Sequence, residues 1–229
     1  MTKSSKPTPP AGRSRRVLIV DDHPIVRQGL RSLVEQEDDL TVCGEAGSAA
    51  EALKVLAALK PELLLVDISL KGPDGLELTK SIRALKPDLP ILIVSMHDES
   101  LYAERVLRAG ANGYIMKEEV AENVVTAARK VLAGDIYISD RMRQQILRGV
   151  AGQRNHPASS SIERLSDREL EVFRLIGQGH GTRQIAEELH LSVKTIETYR
   201  AHIKEKMGLP NATSLVRQAV QWVEQQHPA

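Results

Sequence analysis

The sequence predicts an α/β fold, a doubly wound five-stranded parallel sheet in strand order 2-1-3-4-5, followed by a small all-α domain of four helices. Five short apolar runs alternate with five helical patterns up to about residue 134. The runs are continuously apolar, which is typical of parallel strands buried on both faces. From residue 163 onward only helical periodicity remains, and this change of pattern predicts a second domain.

The strands and helices of the first domain follow one another without long insertions. The strand patterns are RVLIV, LTVCGEA, LLLV, ILIVS and GYIM, and a helical pattern follows each of them. Pro24 suits the first turn of the first helix, and Ser48 and Glu51 are spaced as a capping box for the second. Gly134 marks the end of the fifth helix. Right-handed crossovers place helices on both faces and give a doubly wound sheet. In such sheets ligands bind beyond the C-terminal ends of the strands, so a binding site is expected there.

The composition narrows the classes of function. The 229-residue chain has 31 Lys and Arg, 30 Asp and Glu, one Cys and 3% aromatic residues. A single cysteine excludes an intramolecular disulfide and a cysteine-based zinc cluster, and it fits a cytoplasmic protein. No apolar run approaches the roughly 20 residues of a membrane helix, so no membrane partner is expected. With so few aromatic side chains, duplex DNA is a better candidate than a single strand.

Charge is segregated along the chain, and this divides it into four parts. Residues 1–15 are basic and rich in Ser and Pro, and we expect a disordered tail. Residues 16–135 have an acidic balance and form the predicted α/β domain, and residues 136–162 form a basic linker with a possible short helix. Residues 163–229 have balanced charge and form the predicted helical domain. Such segregation indicates different partners for the two domains.

Five polar side chains lie at or just after the ends of four predicted strands. Asp21 and Asp22 follow the first strand, Asp67 the third, Ser95 ends the fourth and Lys117 follows the fifth. A parallel sheet gathers these ends at one edge. Three close carboxylates repel one another, so either one of them stays protonated or a cation binds, and Mg²⁺ suits carboxylates plus water. A phosphoryl group would bind Mg²⁺, the ammonium and the hydroxyl together, with Asp67 as a nucleophile that forms an acyl phosphate.

On these residues, the stretch from Val17 to Ala133 resembles a bacterial response-regulator receiver domain. The resemblance implies that Asp67 accepts a phosphoryl group from a sensor histidine kinase. It assigns the Mg²⁺ ligands as Asp22 directly, Asp21 mostly through water, Asp67, and the backbone carbonyl of Ser69. It assigns the switch positions to Ser95, Tyr114 and Lys117. Two departures from the family pattern, Lys71 and Glu118 where proline is common, are expected to affect rates and loop geometry but not the chemistry.

The C-terminal block contains a helix-turn-helix pattern. Helices at 182–189 and 193–207 are separated by about three residues, and Ser192 is placed to cap the second helix. Three apolar residues on one face of the second helix are expected to be buried: Ile196, Ile203 and Met207. The opposite face is polar, with small residues in its middle and cations toward its ends, which fits a helix that enters the major groove and equally an ordinary solvated helix face. This face comprises Lys194, Glu197, Thr198, Ala201 and Lys204.

The region from about Leu165 to Val220 resembles the LuxR-type helix-turn-helix of the NarL/FixJ regulators. The resemblance implies that the polar face of the second helix binds DNA and that Arg200 reaches phosphate. Glu197 stands where the family often has Lys, so we expect a different preferred DNA sequence. Because the charge of this block is balanced, a single copy should bind DNA weakly, which favours a homodimer on a pseudo-palindromic site.

These patterns together predict a cytoplasmic transcriptional regulator and no enzyme, with RNA polymerase as a possible further partner. Two alternatives stay open. A phosphohydrolase with an Asp67 nucleophile is disfavoured because Ser69 stands where such enzymes carry a general acid. A regulator whose receiver acts by dimerisation or ligand binding, without phosphorylation, is disfavoured by the complete set of strand-end residues.

Overall fold

The structure is a computed structural model, and it describes residues 13–70, 74–97, 99–150, 162, 164–189 and 191–226. The chain divides into two compact units, Met1–Gly152 and Gln153–Ala229. Most of the tail predicted at the N-terminus lies outside the described residues. Its last residue, Arg15, is instead the first residue of a strand, where its N–H donates to the Asp39 carbonyl at 2.8 Å.

The first unit contains a five-stranded parallel sheet in the order β2-β1-β3-β4-β5, as the sequence predicts. Each neighbouring pair of strands is parallel. Val20 near the end of β1 is paired with Val66 near the end of β3, so the loops that follow these two strands start side by side. The strands are β1 (Arg15–Val20), β2 (Leu40–Ala46), β3 (Leu63–Val66), β4 (Ile91–Ser95) and β5 (Gly113–Met116).

Among the described residues, six helices accompany this sheet, and a short 3₁₀ turn, Lys117–Glu119, leads into the fifth. The second helix begins at the predicted cap, where Ser48 Oγ accepts from the Glu51 N–H at 3.2 Å. The Glu51 carboxylate accepts from the Gly47 N–H rather than from Ser48, so the predicted capping box is displaced by one residue. The helices are α1 (Pro24–Val34), α2 (Ala49–Leu59), α3 (Gly75–Leu85), α4 (Glu99–Arg108), α5 (Val120–Leu132) and α6 (Asp140–Val150).

The three central strands form the core of the first unit. Residues 17–20, 63–66 and 91–94 are each at most 1% exposed. Burial of each aliphatic side chain contributes about 1.5–3 kcal/mol, so these strands stabilise the unit from both faces of the sheet. The continuous apolar runs of the sequence reflect this two-sided burial. The loops at the strand ends are therefore held on a rigid support.

The segment after α5 packs on the first unit. Tyr137 extends the sheet beside β5: its carbonyl accepts from the Tyr114 N–H at 2.8 Å, and its N–H donates to Asn112 at 3.0 Å. The Ser139 N–H then donates to the Glu99 carboxylate at 2.8 Å, and Ser139 Oγ caps the first turn of α6. The predicted linker therefore begins with a stretch fastened to β5 and α4. Its residues 151–161 lie outside the described part.

The second unit consists of four helices among its described residues: α7 (Asp167–Gly177), α8 (Thr182–Glu188), α9 (Val193–Met207) and α10 (Ala212–Gln226). Phe173 packs against Trp222 with a ring-centroid separation of 5.5 Å. Gly177 allows α10 to approach closely, because a Cβ there would overlap the Ala219 carbonyl. Among the residues that the structure describes, no helix has the length and apolar character needed to span a bilayer.

Two glycines give a matched test of the packing behind the strand ends. A Cβ on Gly75 would overlap the Asp67 carbonyl oxygen, whereas a Cβ on Gly29, within α1, would meet no atom within 4 Å. We expect Gly75→Ala to lower the free energy of unfolding by about 1–3 kcal/mol through overpacking. Gly29→Ala should raise it by about 0.5–1 kcal/mol. Urea titrations followed by circular dichroism measure both changes, and equal stability of the two variants would contradict the packing.

Candidate functional site

The ends of β1 and β3 bring three carboxylates together. Asp21 and Asp22 follow β1, and Asp67 follows β3. Asp21 and Asp67 are 1% and 3% exposed. One donor atom from each of these residues and from His23 lies within 4.8 Å of all the others. The structure therefore gathers the acidic residues that the sequence places at separate strand ends.

Lys117, which directly follows β5, supplies a positive charge to this cluster. Its Nζ lies 2.7 Å from Asp21 Oδ2 and 2.9 Å from Asp67 Oδ2. Burial by itself lowers the pKa of Lys117, but the carboxylates of Asp67 and Asp21 outweigh burial, and the net pKa is raised. Lys117 therefore remains an ammonium that joins two buried carboxylates across the sheet.

The carboxyl group of Asp67 is less completely compensated. Burial raises the pKa of Asp67, Lys117 offsets part of that effect, and Asp21 adds to it, so the net pKa lies above the ordinary value. Its Oδ1 is buried and makes no hydrogen bond of normal geometry with the described residues, although the nearby Ser69 N–H offsets a part of the rise in pKa. An additional cation beside this oxygen would stabilise the charged form.

The donor set of the cluster fits a hard divalent cation such as Mg²⁺. Three carboxylates within reach of one another, with one ammonium beside them, leave a net negative charge. Mg²⁺ prefers carboxylate oxygens and water over nitrogen. His23, which the sequence reasoning did not single out, lies at the edge of the cluster with its Nδ1 2.8 Å from Asp22 Oδ1. Its position directly after the acidic pair was the only sequence signal.

The two predicted switch residues of β4 and β5 both contact the main chain of His97. Ser95 is fully buried, and its Oγ accepts from the His97 N–H at 3.1 Å. Tyr114 is 1% exposed, and its hydroxyl donates to the His97 carbonyl at 2.6 Å. The Tyr114 ring therefore points into the unit. One short loop after β4 connects the two switch positions.

His97 also links this loop to the loop that follows Asp67. Its Nε2 lies 2.8 Å from Ser69 Oγ, and its ring stacks on Tyr102 with centroids 4.8 Å apart. The sequence reasoning missed His97, because nothing in the local pattern marks a histidine two residues after Ser95 as a bridge. The metal-ligand role of the Ser69 carbonyl remains a prediction. Lys71 lies outside the described residues, and Glu118 lies in the 3₁₀ turn.

The second unit presents the predicted helix-turn-helix as α8 and α9. Ser192 caps α9 by accepting from the Thr195 N–H at 3.0 Å. Ile196 and Ile203 are fully buried, while Met207 is only half-buried because it lies at the end of the helix. On the opposite face four residues are exposed, Lys194, Glu197, Thr198 and Ala201, and two are half-buried, Arg200 and Lys204.

Within that face, two side chains interact with their own helix. Thr198 Oγ1 donates to the Lys194 carbonyl at 3.0 Å. Burial lowers the pKa of Arg200, and Glu197 offsets only part of this effect. Arginine nevertheless stays charged at neutral pH because its ordinary pKa is so high. The face therefore offers cations and small groups at its surface, as a groove-binding helix requires.

A buried carboxylate fixes α9 against α7. Glu169, 3% exposed, accepts from the Ser166 N–H at 2.7 Å and from Lys206 Nζ at 2.6 Å, and its other oxygen lies 3.7 Å from His202 Nδ1. Burial by itself would raise the pKa of Glu169, but the hydrogen bonds from Lys206 and Ser166 outweigh it and hold that pKa below its ordinary value. Glu169 thus sets the orientation of the predicted DNA-binding helix.

Comparisons with known proteins agree with both units. Residues 17–129 match the response regulator receiver domain family. Residues 163–219 match the family described as bacterial regulatory proteins, luxR family. A receiver domain followed by a LuxR-type DNA-binding domain defines the class of two-component response regulators.

Individual relatives extend the likeness over most of the chain. The oxygen regulatory protein NreC of Staphylococcus carnosus (strain TM300) is 36% identical over 209 residues, 90% of this chain and 96% of that protein. A LuxR-family response regulator from Aurantimonas sp. SI85-9A1 shares 36% identity and a TM-score of 0.56, covering 61% of this chain and 99% of that chain. RcsB of Salmonella enterica serovar Typhimurium, solved on promoter rprA with the phosphomimetic BeF3⁻, shares 28% identity and a TM-score of 0.59, covering 91% and 99%. The chain belongs to the NarL/FixJ family of response regulators.

The role of Glu169 predicts a pH-dependent stability of the second unit. The folded-state pKa of Glu169 is lowered, so its contribution is complete above the unfolded value of about 4.3 and is lost as the pH falls through the folded value. Glu169→Gln should cost about 1–3 kcal/mol at pH 7 and remove this part of the acid dependence. Trp222 is the single tryptophan and lies in this unit, so its fluorescence during urea unfolding reports the change.

Glu224→Gln is the matched control for that measurement, since it removes an exposed carboxylate of α10. It should leave both the stability and its pH dependence close to those of the wild type. An acid dependence that is the same in Glu169→Gln and in the wild type would contradict the assignment.

Proposed function

We propose that the protein is a phosphorylation-dependent transcriptional regulator. Residues 16–135 accept a phosphoryl group on Asp67 from a sensor histidine kinase, and residues 163–229 bind double-stranded DNA. The observation that carries this proposal is the buried Asp67 carboxylate, which pairs with Lys117 and lies within reach of Asp21 and Asp22. A nucleophile, an ammonium and a candidate cation site held together in this way suit phosphoryl transfer.

Asp67 is the proposed nucleophile. One of its carboxylate oxygens attacks phosphorus, the bond between phosphorus and the donor imidazole breaks, and the imidazole nitrogen leaves with the electron pair. Mg²⁺, when bound by Asp21, Asp22, Asp67 and the Ser69 carbonyl, supplies charge neutralisation for the transferred group. Lys117 Nζ lies 2.9 Å from Asp67 Oδ2, so it is close enough to form an ion pair with an oxygen of a phosphoryl group on Asp67.

Ser95 and Tyr114 are the proposed switch. Ser95 Oγ accepts from the His97 N–H, so its own O–H is oriented by that bond and is able to donate to a phosphoryl oxygen. Movement of Ser95 toward the pocket displaces the His97 main chain, to which the Tyr114 hydroxyl is bonded. Phosphorylation then shifts a population between two arrangements of β4, β5 and their loops, so unphosphorylated protein retains some activity.

The proposed DNA-binding surface is the polar face of α9. Small side chains in its middle permit close approach to base edges, and Lys194, Arg200 and Lys204 are placed for phosphate. A homodimer on a pseudo-palindromic site doubles the contacts of a domain with balanced charge. A structure of two RcsB dimers bound to two parallel DNAs, whose chain is 27% identical to this one, supports the proposal.

Phosphorylation of Asp67 is tested with acetyl phosphate and Mg²⁺. The wild type should gain one phosphoryl group by mass and retain a DNA site more strongly, and EDTA should abolish both effects. Asp67→Asn should show neither effect, because an amide is not an effective nucleophile. Asp88→Asn, an exposed carboxylate before β4, is the matched control and should behave as wild type. An unchanged gain of DNA affinity in Asp67→Asn would support a receiver that acts without phosphorylation.

The DNA surface is tested by salt dependence. Lys194→Ala should weaken binding and reduce the slope of log affinity against log salt by about 1, because one phosphate contact is lost. Lys54→Ala, an exposed cation of α2, changes the net charge equally and should leave that slope unchanged. Fluorescence anisotropy with a labelled duplex measures both slopes, and equal slopes for the two variants would exclude Lys194 from the interface.

A further inference from the structure

We propose that Arg27 is a positioning residue of the acidic pocket: it orients the pocket's carboxylates by holding the main-chain carbonyl of Asp21. Arg27 lies in α1 and its side chain is 19% exposed. Its Nη1 donates to the Asp21 carbonyl at 2.6 Å, and its Nε donates to Glu45 at 3.1 Å. The inference rests on the proposed function, since it concerns the Mg²⁺ site of that function.

Asp21 is held from four directions, and Arg27 supplies one of them. The Asp21 N–H donates to the Ala46 carbonyl at 3.1 Å. Its Oδ1 accepts from the His23 N–H at 2.8 Å, and its Oδ2 from Lys117 at 2.7 Å. Only the bond from Arg27 acts on the carbonyl, which belongs to the peptide plane between residues 21 and 22.

The orientation of that peptide decides where Asp22 projects. Because a peptide unit is planar, fixing its carbonyl also fixes the direction in which the next residue leaves. The Asp22 side chain is 5% exposed and lies in the carboxylate cluster. Rotation of the peptide plane would move this carboxylate away from Asp67 without unfolding the sheet. Arg27 therefore acts on a metal ligand through the main chain.

Glu45 on β2 anchors the guanidinium. Burial would raise the pKa of Glu45, but hydrogen bonds from Arg31 and Arg27 outweigh it and lower that pKa, so the carboxylate is charged. The planar guanidinium donates to Glu45 and to the Asp21 carbonyl at the same time. Because the group is rigid, it fixes the position of that carbonyl relative to β2. A lysine ammonium on a flexible stem lacks this rigid pair of donors.

Arg31 provides a matched control on the same helix. Its Nε donates to the other oxygen of Glu45 at 2.6 Å, and its Nη1 donates to Glu35. No bond links Arg31 to Asp21 among those of the described residues. Replacing either arginine removes one positive charge and one partner of Glu45, but only replacement of Arg27 releases the carbonyl.

A purely electrostatic role and a positioning role of Arg27 predict opposite changes in Mg²⁺ affinity when Arg27 is replaced. If Arg27 acted as a point charge alone, its removal would make the acidic pocket more negative and Mg²⁺ would bind more tightly. If Arg27 positions the ligands, its removal weakens Mg²⁺ binding. Loss of a partner that orients a metal ligand typically lowers metal affinity by about 10–100-fold. The direction of the change therefore separates the two roles.

The experiment is isothermal titration of the full chain with Mg²⁺. Arg27→Gln should bind Mg²⁺ about 10-fold more weakly than wild type, and Arg31→Gln should stay within about twofold. Arg27→Lys keeps the charge and should still lose most of the affinity. It also keeps the test open if Arg27→Gln does not fold, as judged by circular dichroism.

Each outcome decides between the alternatives. Unchanged or tighter binding by Arg27→Gln, or wild-type binding by Arg27→Lys, overturns the positioning role while the Mg²⁺ site stands. Equal losses in Arg27→Gln and Arg31→Gln also overturn it, because the shared cause is then Glu45. Absence of Mg²⁺ binding by the wild type refutes the proposed site itself, and the inference fails with it.

Discussion

The first unit depends on the compensation of buried negative charge at one edge of its sheet. Asp21 and Asp67 share the ammonium of Lys117, at 2.7 and 2.9 Å, and Asp22 lies beside them. A buried charge without a partner is strongly destabilising, so Lys117 is required for these carboxylates to remain in the interior. One ammonium does not balance three carboxylates. The sheet therefore holds an incompletely neutralised cluster of carboxylates, and a further cation beside it would reduce the remaining negative charge.

The same edge connects the pocket to the outside of the unit through main-chain bonds. Tyr114 contacts His97 with its hydroxyl and pairs with the Tyr137 carbonyl through its N–H. Tyr114 is therefore bonded both to the loop after β4 and to the segment that leads into α6. Because packed elements move between discrete arrangements rather than deforming continuously, a change at Ser95 has a direct physical route to that segment.

The sequence predicts the parallel sheet and the gathering of the carboxylates because both follow from chain-level geometry. Continuous apolar runs imply buried parallel strands, and parallel strands place their C-terminal ends at one edge. The contacts of His23, His97 and Arg27 could not be predicted in this way, because each depends on the path of a loop or on a side-chain rotamer. The pairing of Tyr137 with β5 was missed for the same reason, since a single bridging residue has no periodicity. The half-burial of Met207 shows that periodicity also fails where a helix ends.

Two buried carboxylates differ in how completely their surroundings stabilise the negative charge. Glu169 accepts from Lys206 and from the Ser166 N–H, and its pKa is lowered, so it is a well-stabilised anion that orients α9. Asp67 has Lys117, which it shares with Asp21, and the nearby Ser69 N–H, but burial outweighs both and its pKa is raised. An anion that its surroundings fully stabilise gains little from a new bond. An anion that they stabilise incompletely gains from an added cation. Both side chains are 3% exposed, but Asp67 lies deeper in the protein interior, so burial together with a shared ammonium leaves its carboxylate the less stabilised of the two.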